Sequence, residues 1–360
     1  MNVEGRAYRS IWPAADGEAI EAIDQTLLPH RFAVKRIDSL EAAAAAIETM
    51  VVRGAPLIGA TAAFGLALGL RRAADDAALR AATRRLAATR PTAVNLRNAL
   101  DDVDAVVRRL PPAARAAAAW ARAIAICDED VALNRRIGEA GLPLIEALHR
   151  KLGRPVAILT HCNAGWLATV DWGTATAPIY MAHDRGVPLQ VFVDETRPRN
   201  QGAALTAFEL GQHGVPHVVV VDNAGGHLMQ RGMIDMVIVG ADRVTARGDA
   251  ANKIGTYLKA LAARANRVPF YVAVPSPTFD WTISDGVSDI PIEERSAEEV
   301  THVVGRLDNG AIARVAVTPP GARAMNPAFD VTPAELIDGL ITDRGVVAAD
   351  ATALARAFGR

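Results

Sequence analysis

Only two cysteines, Cys127 and Cys162, occur in the 360 residues. Two thiols build neither a disulfide framework nor a cysteine-rich zinc site, so a stapled secreted domain is excluded. A reduced, cytoplasmic setting is expected. An excess of one charge is also missing: 39 Lys and Arg face 40 Asp and Glu, for a formal net charge of −1. That balance offers neither a nucleic-acid footprint nor a basic membrane-binding face. Long hydrophobic runs are absent too. The most apolar stretch, 54–70, falls short of the roughly 20 residues a membrane span needs. It is rich in Ala and Gly and is expected to form a buried helix. The stretch before Pro13 carries Glu4, Arg6 and Arg9 and lacks the apolar core of a secretory signal.

Two nucleotide signatures are missing as well. No Gly-x-Gly-x-x-Gly follows a strand-like run, and no Walker A sequence is present. This weakens any dehydrogenase or kinase reading, and no cofactor is expected. What is present fits a globular protein: 51% hydrophobic and 22% charged residues. Much of the apolar share is alanine, which favours helices. The length suggests two domains.

Along the chain, residues from about Ser10 to Ile37 read as short strands and turns, with Trp12 as a packing anchor. Ser39 is placed to cap a helix reaching about Met50, with Glu41 in its first turn. Arg53-Gly54-Ala55-Pro56 opens a second helix, which runs to about Leu70, with Pro56 in the first turn. Further helices are expected over Asp75–Thr89 and through Val106, the latter capped by Thr92 or a neighbour. Two more follow, from Ala113 to Arg136 and, after Gly138, from Leu142 to Leu152.

From there the pattern changes. Apolar runs at Val156–Leu159, Leu189–Val193, Val218–Val221, Met236–Val239 and Phe270–Val274 alternate with helical stretches. Runs that are apolar on both faces indicate a parallel sheet covered on both sides. Ala313–Val317 is a candidate for one more strand, and Ala348–Phe358 for a terminal helix or a loose tail. The expected fold is α/β. A small, mainly helical N-terminal domain with a minor β element spans 1–137, and a Rossmann-like parallel-sheet domain spans 138–360.

Ligands of open parallel sheets bind outside the carboxyl ends of the strands. Those ends carry His161-Cys162-Asn163, then Asp194 to Gly202, then Asp222 to His227, then Gly240-Ala241-Asp242-Arg243. Cys162 reads either as a small buried hydrophobe or as a thiol with lowered pKa at a helix N-terminus. Asp242 reads either as a turn cap or, in an apolar cleft, as a carboxyl that keeps its proton and serves as a general acid. His161 reads as a hydrogen-bonding neighbour, because no partners at metal-ligand spacing accompany it. Arg53, with the N–H groups of Gly54 and Ala55, marks a helix start that suits an anion. Arg90-Pro91 marks another arginine helix start. Asn252-Lys253 reads as the opening of a helix that runs through Lys259, a third such seat.

Seven stretches go beyond pattern: Arg53-Gly54-Ala55-Pro56, Arg90 to Leu96, Thr160-His161-Cys162-Asn163, Asp194 to Pro198, Gln201-Gly202, Gly240 to Arg243, and Asn252 to Thr256. In this order they resemble the S-methyl-5-thioribose-1-phosphate isomerases of methionine salvage. The resemblance covers most of the chain. It implies a Rossmann-like C-terminal domain, a homodimer, and a small phosphosugar as partner. It also implies Cys162 and Asp242 as the catalytic pair, with Arg53, Gly54, Ala55, Arg90, Gln201, Asn252 and Lys253 holding the substrate and no metal. The same superfamily includes non-catalytic regulatory subunits of translation initiation factor 2B and ribose-1,5-bisphosphate isomerases. The regulatory subunits generally lack the Cys/Asp pair that this chain keeps. The segment Asp222 to Met229 departs from the family's common serine-methionine-alanine-rich form, which leaves a 5-deoxyribose 1-phosphate activity open.

Overall fold

The computed structural model describes residues 1–90 and 93–360. Strands Ile11–Pro13, Ile20–Ile23 and Val34–Ile37 form a small antiparallel sheet near the start of the chain. Helices α1 (Leu40–Glu48), α2 (Ala55–Leu70), α3 (Asp76–Ala87), α4 (Val94–Val107) and α5 (Pro112–Leu152) follow. The Ser39 hydroxyl accepts the Ala42 N–H at 3.2 Å, so the expected cap is in place. Asp75 caps α3 in the same way. The expected Thr92 cap lies outside the described residues.

Nearly every residue of α2 is buried. Its neighbours are α1, α3, α4 and α5, which surround it with apolar side chains. A helix that is apolar all round needs such a jacket. No described helix is long and apolar enough to cross a membrane.

The two helices expected over 113–136 and 142–152 are one helix, α5. Gly138, Gly141 and Pro143 suggest a break in the sequence, but the glycines serve close packing instead. A Cβ on Gly138 would lie 2.7 Å from the Met181 side chain. The small residues let α5 press against helix α6 (Ala177–Asp184). The boundary expected at 137/138 therefore falls inside a helix. The first part of α5 packs into the N-terminal helical core through Ala119, Ala123 and Cys127. Its last part packs through Ile137, Leu142 and Ile145 onto the large sheet.

That sheet has seven strands in the spatial order Gly345–Val347, Gly339–Thr342, Phe270–Ala273, Met236–Val239, Val156–Thr160, Leu189–Asp194, His217–Val220. All pairings are parallel except the one between Gly339–Thr342 and Gly345–Val347. Side chains alternate between two cores: Ile158 and Ile238 point to one face, Leu159, Val237 and Val239 to the other. Burial on both faces explains why these strands read as unbroken apolar runs. The Rossmann-like expectation holds.

The candidate strand at 313–317 corresponds to Ile312–Ala316, but it pairs with His302–Arg306 in a separate, exposed hairpin. The main sheet is completed instead by Gly339–Thr342 and Gly345–Val347, which sequence reading missed. The C-terminal stretch is an ordered helix, Ala351–Phe358, capped by Asp350.

Candidate active site

The chain reverses its direction across the sheet at Val156–Thr160. From that strand it moves outward to Leu189–Asp194 and His217–Val220, then returns to Met236–Val239 on the opposite side. A crevice opens beyond the carboxyl ends of the two strands flanking such a reversal. Cys162 lies two residues past the end of Val156–Thr160, and Asp242 three past the end of Met236–Val239. The topology thus brings together two residues 80 positions apart in the sequence.

Cys162 is buried and adopts φ +66°, in the left-handed region that a residue with a Cβ rarely occupies. Its surroundings hold it there. The Cys162 N–H donates to Thr196 Oγ1 at 2.8 Å, and its carbonyl accepts from Thr206 Oγ1 at 2.7 Å. A strained backbone fixed by neighbours is a frequent mark of a functional residue. The helix N-terminus that one reading of Cys162 places behind the thiol is not found: a single 3₁₀ turn, Trp166–Ala168, starts four residues later. Burial pushes the thiol up, while Arg53 and then Lys253 pull it back down. Of the two readings of Cys162, the one with a pKa lowered by a helix start is therefore corrected: the thiol is buried and its net shift is upward. The positive charges that act on the thiol are side chains.

Arg53 reaches the next residue with both arms. Nη1 donates to Asn163 Oδ1, and Nη2 to the Asn163 carbonyl at 2.9 Å. This contact joins the start of α2 to the thiol loop. Gly54, with φ +90°, allows it: a Cβ there would sit 2.4 Å from the Ala168 carbonyl oxygen. Ala55 is the first residue of α2, so the N–H groups of Gly54 and Ala55 stand at a helix N-terminus, a seat suited to a phosphate.

Asp242 is half-buried, and no described residue donates a hydrogen bond to its carboxyl. Burial pushes its pKa up; Lys253, Arg53 and Arg90 pull it down. The net direction is upward, toward a carboxyl that holds its proton. Arg90 is half-buried, its Nε has no hydrogen-bond partner among the described residues, and its Nη2 lies 3.6 Å from Glu293. Burial draws its guanidinium below the usual arginine range.

Asn252 and Lys253 do not open a helix, contrary to expectation. They end the strand Ala250–Lys253, and the helix begins at Thr256. The reason is pairing: Arg243 and Val244 lie opposite Ala251 and Ala250, and the Asp242 N–H donates to the Ala251 carbonyl at 2.9 Å. The hairpin thereby carries Asn252 and Lys253 to the side of Asp242. Lys253 is buried, with Nζ 2.8 Å from the Ala328 carbonyl and 4.5 Å from the centre of the Phe329 ring. Burial lowers its pKa, against the pull of Cys162 and Asp242. Gln201 is buried as well, and its Oε1 has no hydrogen-bond partner among the described residues. It lines a cavity of about 820 Å³ together with Met50, Arg53, Arg199 and Asn200. That is the size range of small-molecule sites. Arg90, Asp242, Ala55 and Phe329 line a second, smaller space of about 40 Å³. Of the residues expected at the site, Arg53 and Gln201 line the larger space and Ala55, Arg90 and Asp242 the smaller, while Cys162, Asp242, Arg53 and Lys253 lie close enough for their charges to act on one another.

His161 takes up no free ligand position. Its Nδ1 faces Asp194 Oδ2 at 2.9 Å and its Nε2 faces the Ile254 carbonyl at 2.8 Å. Among the described residues, His161, Asp194 and Asp222 are close enough to share an ion. However, Lys259 Nζ stands 3.1 Å from Asp194 Oδ2 and supplies a fixed positive charge there. The residues do not fit a metal.

Sequence reading missed Thr206, Glu209 and Glu293, and included Thr196 in a motif stretch without giving it a role. For Glu209 a signal existed: an acid one helical turn after Leu205, on the face that Leu205 and Leu210 bury.

Residues 51–349 match the profile of the Initiation factor 2 subunit family. The chain belongs to that family. Among its relatives, the methylthioribose-1-phosphate isomerase of Methylorubrum extorquens is 64% identical over 355 residues, 99% of this chain and 97% of the relative. In three dimensions the chain is similar to the 5-methylthioribose 1-phosphate isomerase from Pyrococcus horikoshii, with a TM-score of 0.84 and 39% identity over 98% of this chain and 96% of that one. It is also similar to a translation initiation factor eIF-2B subunit delta from A. fulgidus, with a TM-score of 0.79 and 36% identity over 98% of this chain and 100% of that one. The family fold thus accompanies proteins of different names, so the chemistry has to be argued from the crevice.

Proposed function

We propose that this chain isomerises 5-methylthioribose 1-phosphate to 5-methylthioribulose 1-phosphate. The observation that carries the reading is the pairing of Cys162 with Asp242 across the chain reversal, under the charges of Arg53, Arg90 and Lys253. The full-length identity to an isomerase of that name supports it.

The substrate dictates what the site must do. Phosphate on the anomeric oxygen blocks spontaneous ring opening, so the ring C–O bond has to be broken on the enzyme. Asp242, carrying its proton, protonates the ring oxygen as the C1–O bond breaks and its electron pair goes to that oxygen. Cys162, as thiolate, removes the hydrogen at C2, and that bonding pair forms the C1=C2 double bond of an enol phosphate. The thiol returns the proton to C1 while the C2 hydroxyl proton passes back to Asp242, leaving the C2 ketone. Protons and electrons balance, and no oxidant enters. Arg53, Gly54, Ala55, Arg90, Gln201, Asn252 and Lys253 hold the phosphosugar, through helix N–H groups, guanidinium and ammonium charge, and the open acceptor of Gln201.

The burial that raises the Cys162 pKa favours a second route, in which C2 hydrogen moves to C1 as hydride beside a neutral thiol. Substrate deuterated at C2 decides: washout into water supports the base role, and full retention at C1 supports the hydride shift. Assaying ketose 1-phosphate formation from the methylthio, 5-deoxy and ribose 1,5-bisphosphate sugars side by side tests the function itself. Preferred turnover of the methylthio sugar is expected; no turnover of any of them would leave a binding protein. We place the enzyme in the cytoplasm, as a homodimer. The exposed Val218, Val219 and Val221 at the sheet edge give a second copy an apolar surface to cover. A monomer mass by light scattering would overturn the dimer.

A further inference from the structure

We infer that Glu209 is a positioning residue for the reaction: it holds the Cys162 loop and, through Asn163, the Arg53 guanidinium in working arrangement. This rests on the isomerase reading. Glu209 lies on helix α7 (Ala207–His213) and is completely buried. Both carboxyl oxygens are filled. Oε1 accepts from Asn163 Nδ2 at 2.9 Å and from the Leu167 N–H at 2.9 Å. Oε2 accepts from the Trp166 N–H at 3.0 Å and the Tyr180 hydroxyl at 3.0 Å. Three of these four donors belong to the loop that follows Cys162. The loop is pressed close, since a Cβ on Gly165 would fall 1.7 Å from Oε2.

None of the four partners is a cation; neutral donors, with the Arg53 charge at longer range, offset the cost of burying the carboxylate. Burial pushes its pKa up to about 7. A glutamine at this position accepts through one oxygen only, and its amide N–H₂ would face two donors. The ionised carboxylate is the form that serves all four. Asn163 is the link outward: its amide nitrogen donates to Glu209, while its two oxygens accept from Arg53. Among the charges that lower the thiol pKa, Arg53 acts most strongly. Fixing Asn163 therefore fixes the charge beside the thiol, although Glu209 touches neither thiol nor substrate.

The test uses the full-length protein and variants Glu209→Gln, Tyr180→Phe and Asn163→Ala. Three readouts are taken: kcat and KM, the unfolding midpoint, and the pH profile of Cys162 alkylation by iodoacetamide, read on its peptide by mass spectrometry. Glu209→Gln is expected to lower kcat about 10²-fold, the scale of a misplaced reacting group, with KM changed far less. Its alkylation profile moves to higher pH as Arg53 is released from the thiol. Tyr180→Phe removes one donor of four and gives a smaller shift in the same direction. A folded Glu209→Gln with the wild-type kcat and alkylation profile overturns the proposal. If Glu209→Gln fails to fold, Asn163→Ala decides, because it cuts the link and leaves Glu209 its other partners. An unshifted profile there overturns the relay. The alkylation readout needs no turnover, so failure of the isomerase reading would appear separately, as an inactive wild type.

Discussion

Asp194 and Asp242 stand at the carboxyl ends of two strands of one sheet, and their surroundings send them to opposite ends of protein chemistry. Asp194 is fully buried between His161 Nδ1 at 2.9 Å and Lys259 Nζ at 3.1 Å. Both contacts fall on Oδ2, which is thereby committed inside the fold, while Oδ1 is buried without a hydrogen-bond partner among the described residues. Asp242 is half-buried and receives no hydrogen bond from a described residue, and the cations that act on it do so from a distance. Its charge, or its proton, is left for a ligand. Position at a strand end offers a carboxyl to the crevice. The partners already in contact decide whether it is available.

The largest effect is expected where the free carboxyl is removed. Asp242→Asn should lower kcat 10²-fold or more, on the order of a lost general acid, with the urea midpoint unchanged. Cys162→Ser should do the same. Asp194→Asn should do the reverse: it leaves Lys259 buried against an uncharged amide, a loss of about 3–5 kcal/mol for a broken buried pair, while the folded fraction keeps its kcat. Near-normal turnover in Asp242→Asn, or lost turnover at unchanged stability in Asp194→Asn, would break the distinction. Urea unfolding and initial rates on the same samples check both.

That distinction was not legible in the sequence. Both aspartates follow apolar runs that predict buried parallel strands, and the runs themselves were readable because two-sided burial leaves no polar alternation. What separates them is long-range. Lys259 reaches Asp194 from a helix 65 positions away. Asn252 and Lys253 reach Asp242 on a hairpin that the sequence presents as a helix start. Local patterns hold no record of such pairing. The single helix α5 was missed for a related reason: glycines that permit close packing and glycines that end helices look alike until the neighbour is seen. The motif stretches were enough to select Cys162, Asp242, Arg53, Arg90 and Lys253, whose charges act on one another, because they carry unusual chemistry for strand and helix ends. Glu209 escaped although it shares a face with Leu205 and Leu210, since a lone acid on so short a helix is a faint signal beside the motif stretches.

A smaller effect separates charge from geometry. Arg53→Lys keeps a cation near Cys162 and Asp242 but loses the two-pronged grip on Asn163. The loss of one charge-assisted hydrogen bond is about 1.5–3 kcal/mol, so kcat/KM should fall by about tenfold or more. If Arg53→Lys is fully active, distance-acting charge alone suffices at Cys162 as it does at Asp242. If it is impaired, the thiol needs the rigid placement that the carboxyl does without.

The smallest effect concerns a third carboxyl, which shows that a raised pKa alone does not mark a working group. Asp130 on α5 is buried and accepts the Val170 N–H at 2.7 Å, and burial pushes its pKa up to about 7. Like Asp242 its pKa is raised by burial, yet its hydrogen bond goes to the Val170 backbone and it lines neither space of the crevice. The unfolded chain releases this proton near the ordinary aspartate value of about 4. Between about pH 4 and 7 the folded state therefore binds more protons than the unfolded one, and stability falls as pH rises through that window. Asp130→Asn should flatten this part of the urea-midpoint profile without altering the pH dependence of kcat. A variant whose kcat profile moves instead would place Asp130 in communication with the site, and the contrast between available and merely protonated carboxyls would have to be redrawn.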